Sequence, residues 1–347
     1  MEKKFLTRYM CILGALLVIC AGLVVFLDPF YHFHGKLPFL KAVLDDRDYQ
    51  VKGTLDHFDY DAVVLGTSLA ENTNTDVIKN NFNLTAVKAI RAGGSNADLL
   101  FYLNDALDKQ EVKRVFYYLD YASMTGGMRD SFKDSDEAFI INNNPFDDCK
   151  YIFNKDVLLN KIVKQVAYST IVDYNEAEPY CWYAEKTFSE AEILSRYSIE
   201  EAIEQNQIDD TDFVANISEI EEIIKSHPDT QFDIILPPVS ILWWDYEYRC
   251  GNLDVRMSET KYLTDKLGIY QNVNIYNFQF DEDIVKNLDN YMDTVHFSNI
   301  INNRIYEEIA NGREASEAET VQAECDIFRE TVIHFSNEEI YEYYSVK

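Results

Sequence analysis

Residues 59–68 read DYDAVVLGTS, and this stretch decides the predicted fold. Its centre, 62–65, is a short uncharged run that ends at a glycine, a pattern typical of a strand buried in a parallel sheet. Glycine permits the tight backbone geometry that a sharp turn needs. The stretch therefore predicts a buried strand followed by a turn that presents Ser68.

Strand and helix patterns alternate after this point. Further apolar runs of the same kind occur at 84–90, 112–119 and 232–236. Helical stretches lie between them, for example at 98–107 and 217–225. This alternation indicates an α/β fold with helices on both faces of a mostly parallel sheet. We therefore predict a three-layer, doubly wound, flavodoxin-like domain.

The chain is predicted to divide into five parts. These are a cytoplasmic tail at 1–8, a transmembrane anchor at 9–27, a juxtamembrane stalk at 28–58, the α/β domain at 59–312 and an acidic helical segment at 313–347. The α/β domain is expected to carry a mostly helical insertion at about 124–230, which would cap the sheet. In the C-terminal segment, Ser336 and Glu339 have the spacing of a capping box that opens the last helix.

The anchor is the uncharged stretch YMCILGALLVICAGLVVFL at 9–27. At the rise of an α-helix it spans roughly 28 Å, close to the hydrocarbon thickness of a bilayer. Lys3, Lys4 and Arg8 precede it, which favours a cytoplasmic N-terminus and an extracytoplasmic domain at the cell membrane. A cleaved signal peptide, a lipoprotein site at Cys20 and a buried helix of a soluble protein are the alternatives.

Composition excludes several classes of protein. A hydrophobic content of 47% excludes a disordered chain, and a net charge of −29 disfavours nucleic-acid binding because it repels phosphate backbones. Four cysteines lie outside the anchor without metal-type spacing, and we expect mostly buried thiols with disulfides left open: Cys149, Cys181, Cys250 and Cys325. His32 and His34 are interpreted as aromatic residues of the membrane interface. No cofactor and no metal are expected.

Two short motifs carry possible chemistry. Ser68 follows the first buried strand, at the edge where doubly wound sheets bind ligands. Asp293 and His296 form a D-x-x-H sequence just before a predicted helix. A histidine can take the proton of a serine hydroxyl, and a carboxylate on its other nitrogen fixes the tautomer. The alternative is that Ser68 and Asp293 only cap helices.

Together the two motifs resemble the SGNH, or GDSL-type, hydrolase family. The resemblance covers roughly 59–312 and implies that Ser68 is the nucleophile, His296 the general base and Asp293 its orienting partner. It also implies that the backbone N–H of Ser68 and that of Gly94, in RAGGSNAD, form an oxyanion hole, with Gly93 as the alternative to Gly94.

One position departs from the family pattern. The third family block supplies an asparagine side chain to the oxyanion hole, whereas the matching strand end here reads YYLDYASM, with Asp120 in that region. Asn96 is the candidate substitute. Loss of one such donor typically costs about 2.7–4 kcal/mol of transition-state stabilisation.

Side chains near the predicted ligand edge are candidate substrate contacts. The candidates are Thr67, Ser240, Trp243 and Trp244. Aromatic faces pack well on the apolar faces of sugars, so the tryptophans, with Tyr246 and Tyr248, are candidates for a sugar-stacking wall. Packing in the core or in a lid is the alternative, and it applies equally to Tyr180, Trp182 and Tyr183.

The whole pattern is similar to membrane-anchored SGNH proteins of bacterial cell envelopes. The resemblance implies a serine esterase or O-acyltransferase that acts on acyl esters, such as acetyl esters, of a carbohydrate polymer. An alternative is a weakly active or inactive binding partner of a membrane acyltransferase. A purely structural envelope protein is a third possibility.

Overall fold

The structure is a computed structural model that describes residues 2–125, 138–142, 144–199 and 209–345. The chain forms two compact units. The anchor unit comprises Met1–Asp59 and Ser131–Tyr180, and the sheet unit comprises Tyr60–Asp130 and Cys181–Lys347. The predicted insertion at 124–230 is therefore divided between the two units. Parts of it, at 126–137, 143 and 200–208, lie outside the described residues.

The sheet unit is built on five parallel strands. They are β1 Ala62–Gly66, β2 Ala86–Ile90, β3 Arg114–Tyr118, β4 Gln231–Leu236 and β5 Val273–Asn277, in the order β2-β1-β3-β4-β5. The prediction of an α/β fold with a mostly parallel sheet is confirmed. Strand β5 was not predicted, because its sequence VNIYN lacks a continuous apolar run.

Helices precede, separate and follow these strands in the sequence. They are α1 Glu2–Leu27, α2 Arg47–His57, α3 Thr75–Phe82, α4 Asn96–Lys109, α5 Tyr121–Met124, α6 Ala138–Ile141, α7 Cys149–Ile152, α8 Ile162–Thr170, α9 Glu190–Arg196, α10 Thr211–Ser226, α11 Ile241–Arg249, α12 Leu253–Leu267, α13 Glu282–Val285, α14 Asn299–Ala310, α15 Val321–His334 and α16 Ile340–Ser345. Short 3₁₀ turns occur at Tyr183–Glu185 and Leu288–Asn290, and π-helical turns at Val157–Lys161 and Phe335–Glu339. The helices predicted at 98–107 and 217–225 are present as α4 and α10.

Strand β1 lies inside the sheet, and all five of its residues are buried. It pairs with β2 on one side and with β3 on the other, with Ala62 opposite Ala86 and Arg114. Burial on both faces explains why this strand reads as a continuous apolar run. Its carboxyl end therefore lies beside the carboxyl ends of two other strands, where Ser68 follows.

The C-terminal segment belongs to the core of the sheet unit. Val321, Phe328 and Val332 of α15 pack in the same apolar cluster as Val64 of β1. The predicted capping box was wrong: Ser336 is buried inside the π-helical turn that continues α15, so it does not begin a helix. Apolar packing on α12 side chains holds this helical run together instead.

Helix α1 of the anchor unit is long and apolar enough to cross a membrane over Lys3–Leu27, and only 6% of its most apolar stretch is buried. It ends at Leu27 because Asp28 takes a left-handed φ of 37° and proline follows. The Asp28 carboxylate accepts hydrogen bonds from the backbone N–H groups of His32, Phe33 and His34. The chain therefore turns sharply where the helix ends.

The polar groups of this turn have protein partners. His32 Nε2 lies 2.9 Å from Asp148 Oδ1, and the ring nitrogens of His34 contact the backbone oxygens of Gly35 and Val25. Within the described ranges, no group of three or more His, Cys, Asp or Glu residues is arranged to hold a metal. All six cysteines are free thiols; Cys250 and Cys325 are buried, whereas Cys149 is exposed.

Gly66 lies at the end of β1, and a larger side chain at this position tests how tightly the strand end is packed. An added Cβ would lie 2.9 Å from the Cβ atoms of both Ala70 and Tyr118. We expect Gly66→Val to destabilise the sheet unit by about 1–3 kcal/mol through overpacking. Thermal unfolding of the purified chain measures this. The matched variant Ala86→Val, at the half-buried start of β2, should change the midpoint little, and equal losses would contradict the packing argument.

Candidate active site

Ser68 lies in a turn that directly follows β1. The carbonyl oxygens of Thr67 and Ser68 accept hydrogen bonds from the N–H groups of Ala70 and Glu71, at 3.1 and 3.3 Å. The next helix, α3, begins only at Thr75 and is capped by Asn74. Ser68 therefore does not cap a helix, and the turn is free to direct its hydroxyl elsewhere.

Asp293 folds the D-x-x-H segment around its own carboxylate. Its Oδ1 accepts the backbone N–H groups of Val295 and His296, at 2.9 and 2.8 Å, and its Oδ2 lies 2.8 Å from Nδ1 of the His296 ring. Helix α14 begins at Asn299 with Ser298 as its N-cap. Asp293 is thus not a helix cap, and its contacts orient the imidazole.

The three side chains meet in series. Ser68 Oγ lies 2.9 Å from His296 Nε2, and the opposite ring nitrogen lies on Asp293. Burial raises the pKa of the Asp293 carboxyl, but the hydrogen bond to His296, its charge and the backbone N–H groups outweigh this, and the pKa is lowered. Asp293 is therefore ionised near neutral pH, which fixes the proton of a neutral imidazole on Nδ1 and leaves Nε2 to accept from Ser68.

Two contacts outside the motif hold this geometry. Asn302 Nδ2 of α14 donates to the Leu69 carbonyl oxygen at 2.8 Å, which ties the helix after His296 to the turn that bears Ser68. The Trp182 ring packs edge-on against the His296 ring, with centroids 5.6 Å apart. Trp182 is itself fixed by hydrogen bonds to Glu71 and Asn72 in the same turn. The turn after β1 therefore positions His296 indirectly, through Asn302 on α14 and through the Trp182 ring.

Ser68 and His296 open into a cavity of about 320 Å³. Near the serine its wall includes Thr67, Gly93 and Asp120, and further along it includes Tyr121, Trp243 and Arg256. The Tyr121 and Trp243 rings stack at 5.4 Å with an interplanar angle of 9°. The cavity is of the size of a small-molecule site, with an apolar wall and a few polar groups.

Neither family models, curated proteins nor solved structures gave a match to this chain.

A charged group lies behind the aromatic wall. Arg256 is buried, and its Nε and Nη1 donate to Glu247 Oε2 and Glu259 Oε2, at 2.8 and 2.9 Å. Its guanidinium carbon also lies 4.6 Å from the centroid of the Tyr121 ring. Burial lowers the pKa of Arg256, but the two carboxylates outweigh this and raise it. The arginine therefore stays charged and fixes the aromatic wall in place.

The predicted oxyanion donors are placed differently from expectation. The Gly94 N–H donates to the Arg91 carbonyl oxygen at 3.0 Å, so the structure does not offer it to the cavity. A Cβ on residue 94 would lie 2.5 Å from Arg91 Cγ, so this position of the turn needs a glycine. Gly93 and Gly94 both line the cavity, and Gly93 has a φ of 63°. Within the described ranges, the N–H groups of Ser68 and Gly93 have no protein acceptor.

Asp120 lies at the position where the family resemblance implies an asparagine. Its Oδ2 accepts from Thr67 Oγ1 at 2.7 Å and its Oδ1 from the Ser123 N–H at 2.9 Å, and it lines the cavity beside Ser68. Burial raises the pKa of Asp120, although hydrogen bonds from Thr67 and Ser123 and the nearby His296 oppose this. Ionised, this side chain accepts hydrogen bonds and donates none.

Three predicted site residues lie away from the cavity. Asn96 is buried, with its amide bonded to Asn216 and Tyr117, so the structure does not bring it to Ser68. Trp244 packs in the core against Phe328. Ser240 is buried and donates to the Thr294 carbonyl oxygen at 2.8 Å, between Asp293 and His296. Ser240 therefore positions the D-x-x-H segment and does not line the cavity.

Sequence reasoning missed several residues of the cavity wall. Tyr121 directly follows Asp120 at the end of β3, a position where ligand contacts are expected, and this signal was available. Glu247 and Arg256 lie on α11 and α12, and nothing in their local sequence distinguishes them from surface ions. Their role follows only from the packing of the two helices.

Removal of the Arg256 charge tests this packing. Arg256→Met leaves two buried carboxylates uncompensated, and we expect a loss of about 3–5 kcal/mol in unfolding free energy at neutral pH. Burial already raises the pKa of Glu259, and loss of the guanidinium raises it further. The variant should therefore recover stability as the pH falls and the Glu259 carboxylate is protonated.

Denaturant unfolding at several pH values measures the effect of Arg256→Met. The matched control is Arg196→Met, which breaks an exposed ion pair with Glu192 on α9 and should change stability little. A loss for Arg256→Met that is independent of pH would contradict the charge argument.

Proposed function

We propose that the chain is a membrane-anchored, extracytoplasmic serine esterase or O-acyltransferase of the SGNH type, acting on acyl esters of a carbohydrate polymer. The observation that carries the proposal is the series contact of Ser68 Oγ, His296 and Asp293 at 2.9 and 2.8 Å. The strand order β2-β1-β3-β4-β5, which is that of doubly wound flavodoxin-like sheets, supports it. So does the cavity into which Ser68 and His296 open.

In the proposed reaction, Ser68 Oγ attacks the acyl carbon of the ester as His296 Nε2 takes the hydroxyl proton. The tetrahedral oxyanion rests on the N–H groups of Ser68 and Gly93, which have no acceptor within the described ranges. His296 then gives its proton to the leaving alcohol, and an acyl group remains on Ser68. Water or a sugar hydroxyl, deprotonated by His296, resolves the acyl-enzyme.

The cavity wall supports a small acyl group and a sugar ring. The space of about 320 Å³ is at the small end of the range for ligand sites. Trp243 lines it, and its stack on Tyr121 holds the ring in place. An apolar, immobile aromatic face suits the apolar side of a sugar. Trp243 is therefore the proposed sugar contact, whereas Trp244 is not.

The membrane part of the proposal rests on α1. A helix of this length and apolarity also occurs as a signal sequence, so crossing of the bilayer is proposed on the charges of Lys3, Lys4 and Arg8 and the exposure of the helix. A carbohydrate polymer of the envelope and a membrane acyltransferase are the partners this placement favours.

Reaction with a fluorophosphonate probe tests the nucleophile. We expect the full-length chain to be labelled at Ser68, and Ser68→Ala to lose labelling and to hydrolyse an activated acetyl ester roughly 10⁴-fold more slowly. The matched control is Ser195→Ala, an exposed serine of α9 in the same unit, which should react as the wild type does. Unchanged hydrolysis by Ser68→Ala removes the assignment.

Asp120 generates a second prediction about the same reaction. An ionised carboxylate beside the forming oxyanion opposes it, whereas an asparagine carries no charge and supplies a donor. We expect Asp120→Asn to raise kcat/KM for an activated acetyl ester roughly tenfold at neutral to alkaline pH. Asp293, which contacts the His296 ring, is unchanged in the variant and still stabilises the imidazolium.

The pH dependence of this gain follows from the pKa of Asp120. Burial raises that pKa, so the wild-type carboxyl becomes protonated as the pH falls and can then donate as an asparagine does. The ratio of kcat/KM for Asp120→Asn over wild type should therefore shrink towards acidic pH. A ratio below one at all pH values would contradict the repulsion argument.

A binding function is the second candidate, and two observations favour it. Asp120 places a carboxylate where an oxyanion donor is expected, and the Gly94 N–H donates to the Arg91 carbonyl oxygen. A folded chain that is inert to the fluorophosphonate probe and still binds an acetylated polysaccharide would favour this candidate over the enzyme.

A further inference from the structure

An apolar helix face is exposed in the anchor unit. The helical segment 157–170 comprises the π-helical turn Val157–Lys161 and α8. Its residues Leu159, Val163 and Val166 are 69, 58 and 37% exposed. Their spacing of four and three residues places them on one face of the helical segment. Exposed Ile171 and Val172 follow directly.

The opposite face of this segment packs against the end of α1. Val157 and Ile162 are buried in one apolar cluster with Val24, in the last turns of α1, and with Phe30 just beyond it. The exposed face is therefore held close to the point where the candidate membrane helix ends.

A second connection joins the same elements. The ring of Phe39, which is 65% exposed, stacks on that of Phe26 near the end of α1, with centroids 6.4 Å apart. Two residues later, the Lys41 N–H donates to Ser169 Oγ at 3.1 Å, near the end of α8. The exposed Phe39 is therefore linked to both helices.

Charges beside the apolar face are neutralised. Lys161 pairs with Asp46 at 2.7 Å, and Lys164 pairs with Asp45. These lysines are therefore balanced, and they do not favour a strongly acidic partner. A row of apolar side chains beside the end of an apolar helix is the composition of an interfacial membrane helix. Soluble proteins rarely leave such a patch in water.

We propose that the helical segment 157–170 lies in the plane of the membrane, with Leu159, Val163 and Val166 among the acyl chains of the lipid. Phe39 lies at the level of the headgroups beside the end of α1. This rests on the proposed crossing of the bilayer by α1 and is independent of the proposed chemistry at Ser68. The anchor unit is then held by two membrane contacts, a spanning helix and a surface helix, and the second depends on apolar insertion.

Photolabelling from within the bilayer tests this. The full-length chain is reconstituted into phosphatidylcholine nanodiscs that contain a lipid with a diazirine on its acyl chain, and labelled residues are mapped by mass spectrometry. We expect labels in 9–27 and at positions 159, 163 and 166. The label on 157–170, relative to that on 9–27, should fall roughly tenfold in Leu159→Ser/Val163→Ser/Val166→Ser because apolar burial is lost.

The matched control replaces two exposed polar residues, Lys155 just before the segment and Asn160 within it, as Lys155→Ser/Asn160→Ser, and should keep the wild-type ratio. Labelling of 9–27 without 157–170 overturns the proposal and leaves the anchor in place. Labelling of neither overturns both. Loss of the label on 157–170 at high salt would show an electrostatic contact and also overturn it.

A contact between two copies of the chain is the competing occupant of this face. If light scattering shows a dimer in detergent that the triple serine variant converts to a monomer, and 157–170 carries no lipid label, the proposal is overturned in favour of that contact. Fluorophosphonate labelling of Ser68 in the same nanodiscs reports the proposed chemistry separately, so failure of one proposal is distinguishable from failure of the other.

Discussion

The contact between Ser68 Oγ and His296 Nε2 joins two segments that lie 228 residues apart in the sequence. It depends on the parallel sheet, because β1 ends at the edge where the turn of Ser68 begins and α14 returns the chain to that turn. Asn302 fixes the two segments by donating to the Leu69 carbonyl oxygen, and Ser240 holds the Thr294 carbonyl oxygen. Hydrogen bonds to main-chain atoms therefore set the positions of Ser68 and His296, and a small shift in either segment would separate them.

Acidic side chains lie around the cavity, whereas an oxyanion hole is built from hydrogen-bond donors. Asp120 and Glu247 line the cavity, and Arg256 is shared between Glu247 and Glu259. Negative charge is therefore close to the place where the proposed reaction develops an oxyanion. The raised pKa of Asp120 reduces this conflict, because its burial favours the neutral acid. Asp120 also accepts hydrogen bonds from Thr67 and Ser123, which oppose this rise in its pKa by favouring the ionised form.

Most strands and helices of the fold could be predicted from the sequence, because their residue patterns depend on interactions between residues close together in the chain. Strand β1 is apolar throughout because it is buried on both faces, and it was predicted together with β2 to β4, whereas β5 carries two asparagines and was not predicted. Ser336 and Glu339 have the spacing of a capping box, yet packing of Phe335 and Ile340 in the core extends the helical run through them. Core burial therefore outweighed a local capping signal.

By itself, the sequence determined the parallel α/β class, the apolar N-terminal helix and the two motifs that bear Ser68, Asp293 and His296. These features follow from residue type and spacing within a few turns of chain. Only the tertiary structure decided that the Gly94 N–H donates to Arg91 while the Gly93 N–H has no acceptor within the described ranges, that Asn96 is used elsewhere, and that Arg256 supports the wall of Tyr121 and Trp243. Each of these depends on which distant residue takes a given hydrogen-bonding group, and that competition is settled only when the helices and strands pack together.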